Sequence, residues 1–413
     1  MTRRIPLAVA AAAIGVACAV APAGAIPPPG ASSCRVFPAD NVWHADISKL
    51  RVNRHSAAWL ASMSASSKHL HPDFGPSGSS MPYGIPYIVV PSSHQKVSVS
   101  FQYADESDPG PYPFGSDTPI EGGSSSSGDR HAIMIDSGTC KLYELYGAHY
   151  SSGGSTAGSG AIWSLKSNAL RPATWTSADA AGLPIFAGLV RLDEVKKGVV
   201  DHAIRFTAFS TDRTYLWPAR HQAGAARNAN LPPMGARFRL KSSFSLSGYR
   251  SDTRVILTAM KRYGMIVADN GSDWFFQGTA ENGWQNAMLD ELKSIPASAF
   301  EAVDESSLMA DPNSGRVRTT TTVTHHTTHT AAKPKASPKP TATPTPTPTP
   351  AHTTAPPSPT PTTSAGPTSS PTARALAGGR VTSGDGAWKI ALVGGVGAGL
   401  AVAILFVRRR RRA

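Results

Sequence analysis

Charge is scarce in this chain: 16% of its 413 residues are Asp, Glu, Lys or Arg, and cysteine occurs three times. No GxSxG, P-loop, HExxH or paired CxxC is present. Nucleophile elbows, phosphate-cradling loops, zincins and zinc ribbons therefore have no sequence support. The body also lacks a basic surplus. The formal net charge is +13, but Arg3, Arg4 and Arg408 to Arg412 stand at the two ends, and residues 26–310 hold 25 basic against 25 acidic side chains. The argument for a nucleic acid or other polyanion as partner is thereby lost.

What is abundant is proline (35) and glycine (37), more than one packed domain usually carries. The excess divides the chain. Residues 1–25 combine Thr2-Arg3-Arg4, an apolar run from Ile5 to Val20 and Ala23-Gly24-Ala25, the plan of a secretory signal peptide. Residues 33–309 read as the extracellular domain. Residues 310–387 read as a disordered stalk, because a Thr/Pro tract buries too little apolar surface to offset its chain entropy. Residues 388–407 then read as a transmembrane helix, with an uncharged run from Ile390 to Val407 and Trp388 and Lys389 at its outer edge. The arginines of the cytoplasmic tail, 408–413, place the body outside by the positive-inside rule. Localisation is thus read as a single-pass cell-membrane protein with its amino-terminal domain outward. Gly395 and Gly399 form a GxxxG pair suited to a weak dimer.

Outside the cell, Cys34 and Cys140, the only cysteines beyond the leader, read as one disulfide. The secondary-structure signal is mostly β. Residues 86–90 and 96–101, 131–136 and 141–146, 203–208 and 214–217, and 265–268 and 274–277 read as strand pairs around turn residues. Residues 236–241 read as a half-buried strand. Helices are expected over 55–63, 252–263 (stopped by Gly264) and 285–295. The fold expected is a β-rich α+β body, an antiparallel sandwich or distorted barrel with a few covering helices.

Three clusters carry candidate chemistry. Asp105, Glu106, Asp108, Tyr112, Glu121, Asp129 and His131 lie in irregular, glycine-rich chain. They suit a calcium ion held by oxygens or an acid/base pair, against the plainer reading of solvated turns. His202, Arg205, Trp217, Arg220 and His221 combine a base, cations for a sugar carboxylate and a ring for a sugar face; with His131 the histidines would form a metal triad. Asp269 and Trp274 flank an Asn-Gly turn. The catalytic candidates are thus His131, His202, His221, Arg205, Arg220, Asp129 and Asp269. The binding candidates are Asp105, Glu106, Asp108, Tyr112, Glu121, Trp217 and Trp274.

Phe37-Pro38-Ala39-Asp40-Asn41-Val42-Trp43, Ser107-Asp108-Pro109-Gly110-Pro111-Tyr112, Asn168-Ala169-Leu170-Arg171-Pro172, the run from Thr176 to Pro184 and the run from Tyr263 to Gly271 give the chain a further character. Over 34–304 it resembles a family of secreted bacterial proteins, mainly actinobacterial. The resemblance brings no activity and no catalytic residue with it. Two functions are expected from the residues alone. One is a surface-anchored enzyme acting on an extracellular polysaccharide or cell-wall glycan, as a hydrolase or lyase. The other is a non-catalytic glycan-binding or adhesion protein.

Overall fold

A computed structural model describes residues 25–76 and 82–318, all within one compact unit. The expected leader up to residue 24, the stalk from residue 319, the apolar run with Gly395 and Gly399, and the arginine tail lie outside the described residues. Among the described residues no helix is long and apolar enough to cross a membrane.

The strands in chain order are β1 (His71–Asp73), β2 (Tyr87–Val90), β3 (Val99–Phe101), β4 (Ala132–Asp136), β5 (Lys141–Tyr146), β6 (Ser155–Ala157) and β7 (Ser159–Ser164). They continue as β8 (Ile204–Ala208), β9 (Asp212–Tyr215), β10 (Pro233–Met234), β11 (Arg237–Leu240), β12 (Met265–Asn270), β13 (Phe275–Gln277) and β14 (Phe300–Val303). The helices are α1 (Ser56–Ser62), α2 (Leu192–Lys197), α3 (Ser251–Arg262) and α4 (Asn286–Lys293). One sheet has six strands in the order β1-β13-β8-β12-β11-β14, a second has four in the order β2-β4-β5-β7, and β3/β6 and β9/β10 are two-stranded. The body is β-rich, with mixed sheets and few helices.

β4 and β8 are buried at every position, the pattern of strands covered on both faces. Ile133, Ile135 and Leu142 enter the main core, while Ala132, Met134, Tyr143 and Leu145 face a second apolar cluster. The four-stranded sheet therefore stands between two cores, as period-2 alternation allows. Helix α3 buries Ile256, Leu257, Ala259 and Met260, residues at helical spacing. Gly264 ends it at φ +71°, where a Cβ would lie 2.4 Å from the Phe238 carbonyl, so only glycine fits. Cys34 and Cys140 are disulfide-bonded. The packed chain runs past residue 309: Asn41 bridges Arg316 and Met309 bridges Val317.

The expected hairpin β4/β5 forms, as do the three expected helices. Other pairings differ from expectation. The sheets are mixed rather than antiparallel: β1 with β13, β2 with β4, β3 with β6, β8 with β12 and β9 with β10 run parallel. The 86–101 segment is no hairpin, since its two strands pair with β4 and β6. Nor do β12 and β13 pair with each other; β8 lies between them. Turn residues mark where a chain reverses but not which strand slides in beside it. β11 is largely buried rather than alternating. Arg237 is enclosed because its guanidinium meets Glu305 at 2.6 Å and the carbonyls of Tyr263 and Val42 at 2.7 and 3.1 Å.

Candidate active site

One face of the six-stranded sheet floors a cleft of about 190 Å3. Register explains which side chains reach it. His71 and Asp73 of β1 stand beside Phe275 and Gln277 of β13, and Phe276 beside Phe206 of β8. Alternation then turns Arg205 and Thr207 to the same face as Phe275 and Gln277, with Phe206 and Phe276 in the core behind. On β12 the register passes from Val267 opposite Phe206 to Asp269 opposite Thr207 and skips Ala268. Without this bulge Ala268 would face the cleft and Asp269 the core. The freed Ala268 carbonyl accepts from Ala181 N–H at 2.9 Å. The bulge thus also docks the segment that carries Asp179.

The opposite wall is the loop 121–131. Glu121 N–H donates to the His131 carbonyl at 3.0 Å, closing the loop at its base. Arg130 pins the interior through Ser124, Ser126 and Ala148 carbonyls at 2.8, 2.8 and 3.1 Å. Glu121, Gly128, Asp129 and His131 line the cleft, with Tyr83 at its side.

The electrostatics divide these groups by role. His131 donates Nδ1–H to Glu121 at 2.6 Å and contacts the Ala178 carbonyl through Nε2 at 3.2 Å. Both neighbours are acceptors, so the ring must donate twice and is an imidazolium. Burial alone would push its pKa down, but the Glu121 carboxylate outweighs this and lifts it to about 9. Glu121 is in turn held below the usual carboxylate range: burial works to raise it, and His131 overcomes that. Arg205 gives Nε and Nη2 to Asp179 at 3.0 and 2.7 Å, both side chains being buried. Asp73 accepts from the Tyr83 hydroxyl and from Gln277, and burial raises its pKa. Asp269 takes the Asn270 N–H at 2.7 Å, and its Oδ2 is 3.9 Å from Arg205. Burial, then the charge of Asp179, pushes the Asp269 carboxyl up to about 7. Its side chain still shows 28% of its surface to solvent, so a reactant can reach it. The Asp129 carboxylate accepts no hydrogen bond from any described residue.

The sequence candidates therefore separate. His131, Arg205, Asp129, Asp269 and Glu121 share the cleft. His202 does not; it is buried between Glu194 and the Ala203 carbonyl at 3.1 and 2.7 Å. Arg220 is bound to the Arg171 and Pro312 carbonyls at 2.7 and 2.6 Å and to Asn313 at 2.8 Å. His221 contacts the Ala180 carbonyl at 2.8 Å and stands 3.9 Å from Glu106. Glu106 and Asp108 hold a separate assembly: Glu106 accepts from Thr176 N–H at 2.9 Å and Asp108 meets Arg171 at 2.5 Å, while Asp105 is exposed beside them. Tyr112 is fully buried in the second core. Trp274 is also core, stacked on Phe206 and donating to the Met63 carbonyl at 3.0 Å. Trp217 donates to Ser314 O at 2.9 Å. The three histidines do not meet, and among the described residues no three His, Cys, Asp or Glu side chains converge as a metal ion requires. The acidic residues near 105 likewise form no oxygen cage.

Asp73, Tyr83, Asp179, Phe275 and Gln277 were not among the sequence candidates. No local motif marks them; strand register gathers Asp73, Phe275 and Gln277, while Tyr83 and Asp179 come from loops held by the Gly75 bridge and by Arg205. No family model, curated protein or solved structure matches the chain.

Proposed function

We propose that the chain hydrolyses glycosidic bonds of an extracellular polysaccharide or cell-wall glycan in this cleft. The observation that carries the reading is Asp269, a carboxyl whose pKa is raised to about 7 beside other carboxylates in an accessible cleft. Two carboxyl groups held in different protonation states are what acid/base cleavage of an acetal needs. Asp269 donates its proton to the leaving glycosidic oxygen. Asp129 takes a proton from water as the water oxygen bonds to the anomeric carbon. Glu121 and Asp73 are less suited to that second task, since their oxygens serve His131 and Tyr83. His131, already protonated, supports the ionised state of Glu121 rather than acting as a base.

Hydrolysis is favoured over lyase chemistry by the arginines. β-Elimination needs a cation for a uronate carboxylate, and Arg205 and Arg220 are both committed inside the protein. The outward placement belongs to this reading and rests on the leader and the C-terminal apolar run.

The test is the purified full chain on neutral and uronate polysaccharides, read by new reducing ends and by absorbance of new double bonds. The reading requires reducing ends without unsaturation, a rate falling as pH rises through about 7, and loss of turnover in Asp269→Asn with folding retained. Unsaturated ends, or glycan binding with no turnover, would overturn it, the latter in favour of the adhesion protein.

A further inference from the structure

A second, more open hollow of about 520 Å3 adjoins the cleft, within the roughly 300–1,000 Å3 typical of small-ligand sites. The two share Gly128, and the Tyr146 ring at the hollow packs 5.8 Å from the His131 ring of the cleft. Phe101, Gln102, Tyr146, His149 and Thr156 line it, and no Asp, Glu, Lys or Arg does. Of the rings that line the two hollows, Tyr146 is 37% exposed and Tyr83 in the cleft 49%. Flat rings with a polar tip suit the C–H face and hydroxyls of a sugar. Gly158 sets the pose of one of them: a Cβ there would stand 2.5 Å from the Tyr146 ring.

We propose that this hollow is a distal subsite that holds the following residues of an uncharged glycan chain whose scissile bond lies in the cleft. The proposal rests on the hydrolase reading for the identity of the cleft. It adds that the substrate is a neutral polymer rather than a short or acidic sugar. Continuity through Gly128 and Tyr146 argues for one extended ligand over two independent ones. The absence of charged lining argues against a polyanion, since a charged sugar would lose its hydration there without gaining a partner.

The experiment uses the full chain, Asp269→Asn for binding and the active protein for turnover. The probes are hydroxyethylcellulose, glycol chitin, dextran and galactan, with their short oligomers. Gln102→Ala/His149→Ala alters two exposed positions, and Gly158→Ala displaces the Tyr146 ring; circular dichroism checks the fold of both. The expected result is about tenfold weaker polymer binding in each, the scale of one lost stacking or hydrogen-bonded contact. The ratio of kcat/KM on polymer to kcat/KM on oligomer should fall by about the same factor. Turnover with an unaltered ratio overturns the subsite and leaves the hydrolase reading standing. Polymer binding lost in both variants, in a wild type without turnover, supports the subsite and overturns the hydrolase reading. A wild type that binds none of the four polymers overturns the subsite.

Discussion

The Asp179–Arg205 pair lies at the floor of the cleft, which Arg205 lines, and Asp179→Asn tests both its structural and its electrostatic role. Asp179 accepts two guanidinium N–H groups at 2.7 and 3.0 Å, and neither side chain shows more than 3% of its surface. Asparagine keeps one acceptor oxygen and turns an NH2 donor toward a guanidinium that can only donate. Removing one partner of a buried ion pair leaves an uncompensated charge and costs about 3–5 kcal/mol. For a body of this size that lowers Tm by on the order of 10 °C. A second effect accompanies it. The Asp179 charge helps to hold Asp269 up near 7, while Arg205 pulls it down. With Asp179 neutral, burial still holds Asp269 up but the pull of Arg205 is less opposed, so the pKa of Asp269 moves down. A reaction that uses protonated Asp269 then loses rate at lower pH than in the wild type. Thermal unfolding reads the first effect and the pH–rate profile the second. Asp179→Asn/Arg205→Met removes the stranded charge as well and should recover part of the lost stability. An unchanged Tm together with an unchanged alkaline limb would refute the reasoning.

Glu144 is buried between Ile185 N–H, Phe186 N–H and the Trp163 indole at 3.0, 2.8 and 3.3 Å, and burial raises its pKa to about 7. Its folded pKa exceeds the unfolded value of about 4.3, so stability should fall as pH rises from about 4 to 7. Glu144→Gln should flatten that slope in urea titrations and cost about 1–3 kcal/mol, because its NH2 meets a donor. His131 carries the same sign in a higher pH window. Its raised pKa gives stability that is full below about 6.5 and lost as pH rises through about 9. An NMR titration of its ring should show a midpoint near 9, and one below 7 would remove the imidazolium. Unfolded, unreduced protein should show no titratable thiol from Cys34 or Cys140; reduction should lower stability by up to about 4.7 kcal/mol on a chain-entropy account.

What the sequence revealed depended on range. The β4/β5 hairpin was legible because Ser137-Gly138-Thr139 joins two apolar runs directly. Helix α3 was legible because its apolar stripe and its closing glycine lie within one stretch of chain. Asp269, Asp129 and His131 were found from their type and setting. Asp73 was not, because it reaches the cleft only through the pairing of β1 with β13, two hundred residues on. Asp269 itself was read as part of a hairpin tip. That it lies on a strand, and on which face, depends on the skipped Ala268, which no pattern of residues displays. His202 and Trp274 show the converse. Both were attractive by type, and both proved to be core, because a buried polar group finds local partners that spacing does not announce.

The cleft borrows from five stretches of chain, near residues 73, 83, 121–131, 205–207 and 269–277. No fragment that stops before residue 277 contains it, and its walls meet only through pairings of long sequence separation, the slowest kind to form. A chain synthesised from its amino end therefore cannot complete this cleft until residue 277 is available. Proteolytic trimming anywhere between those stretches should abolish ligand capture in one step, leaving no partially competent piece behind.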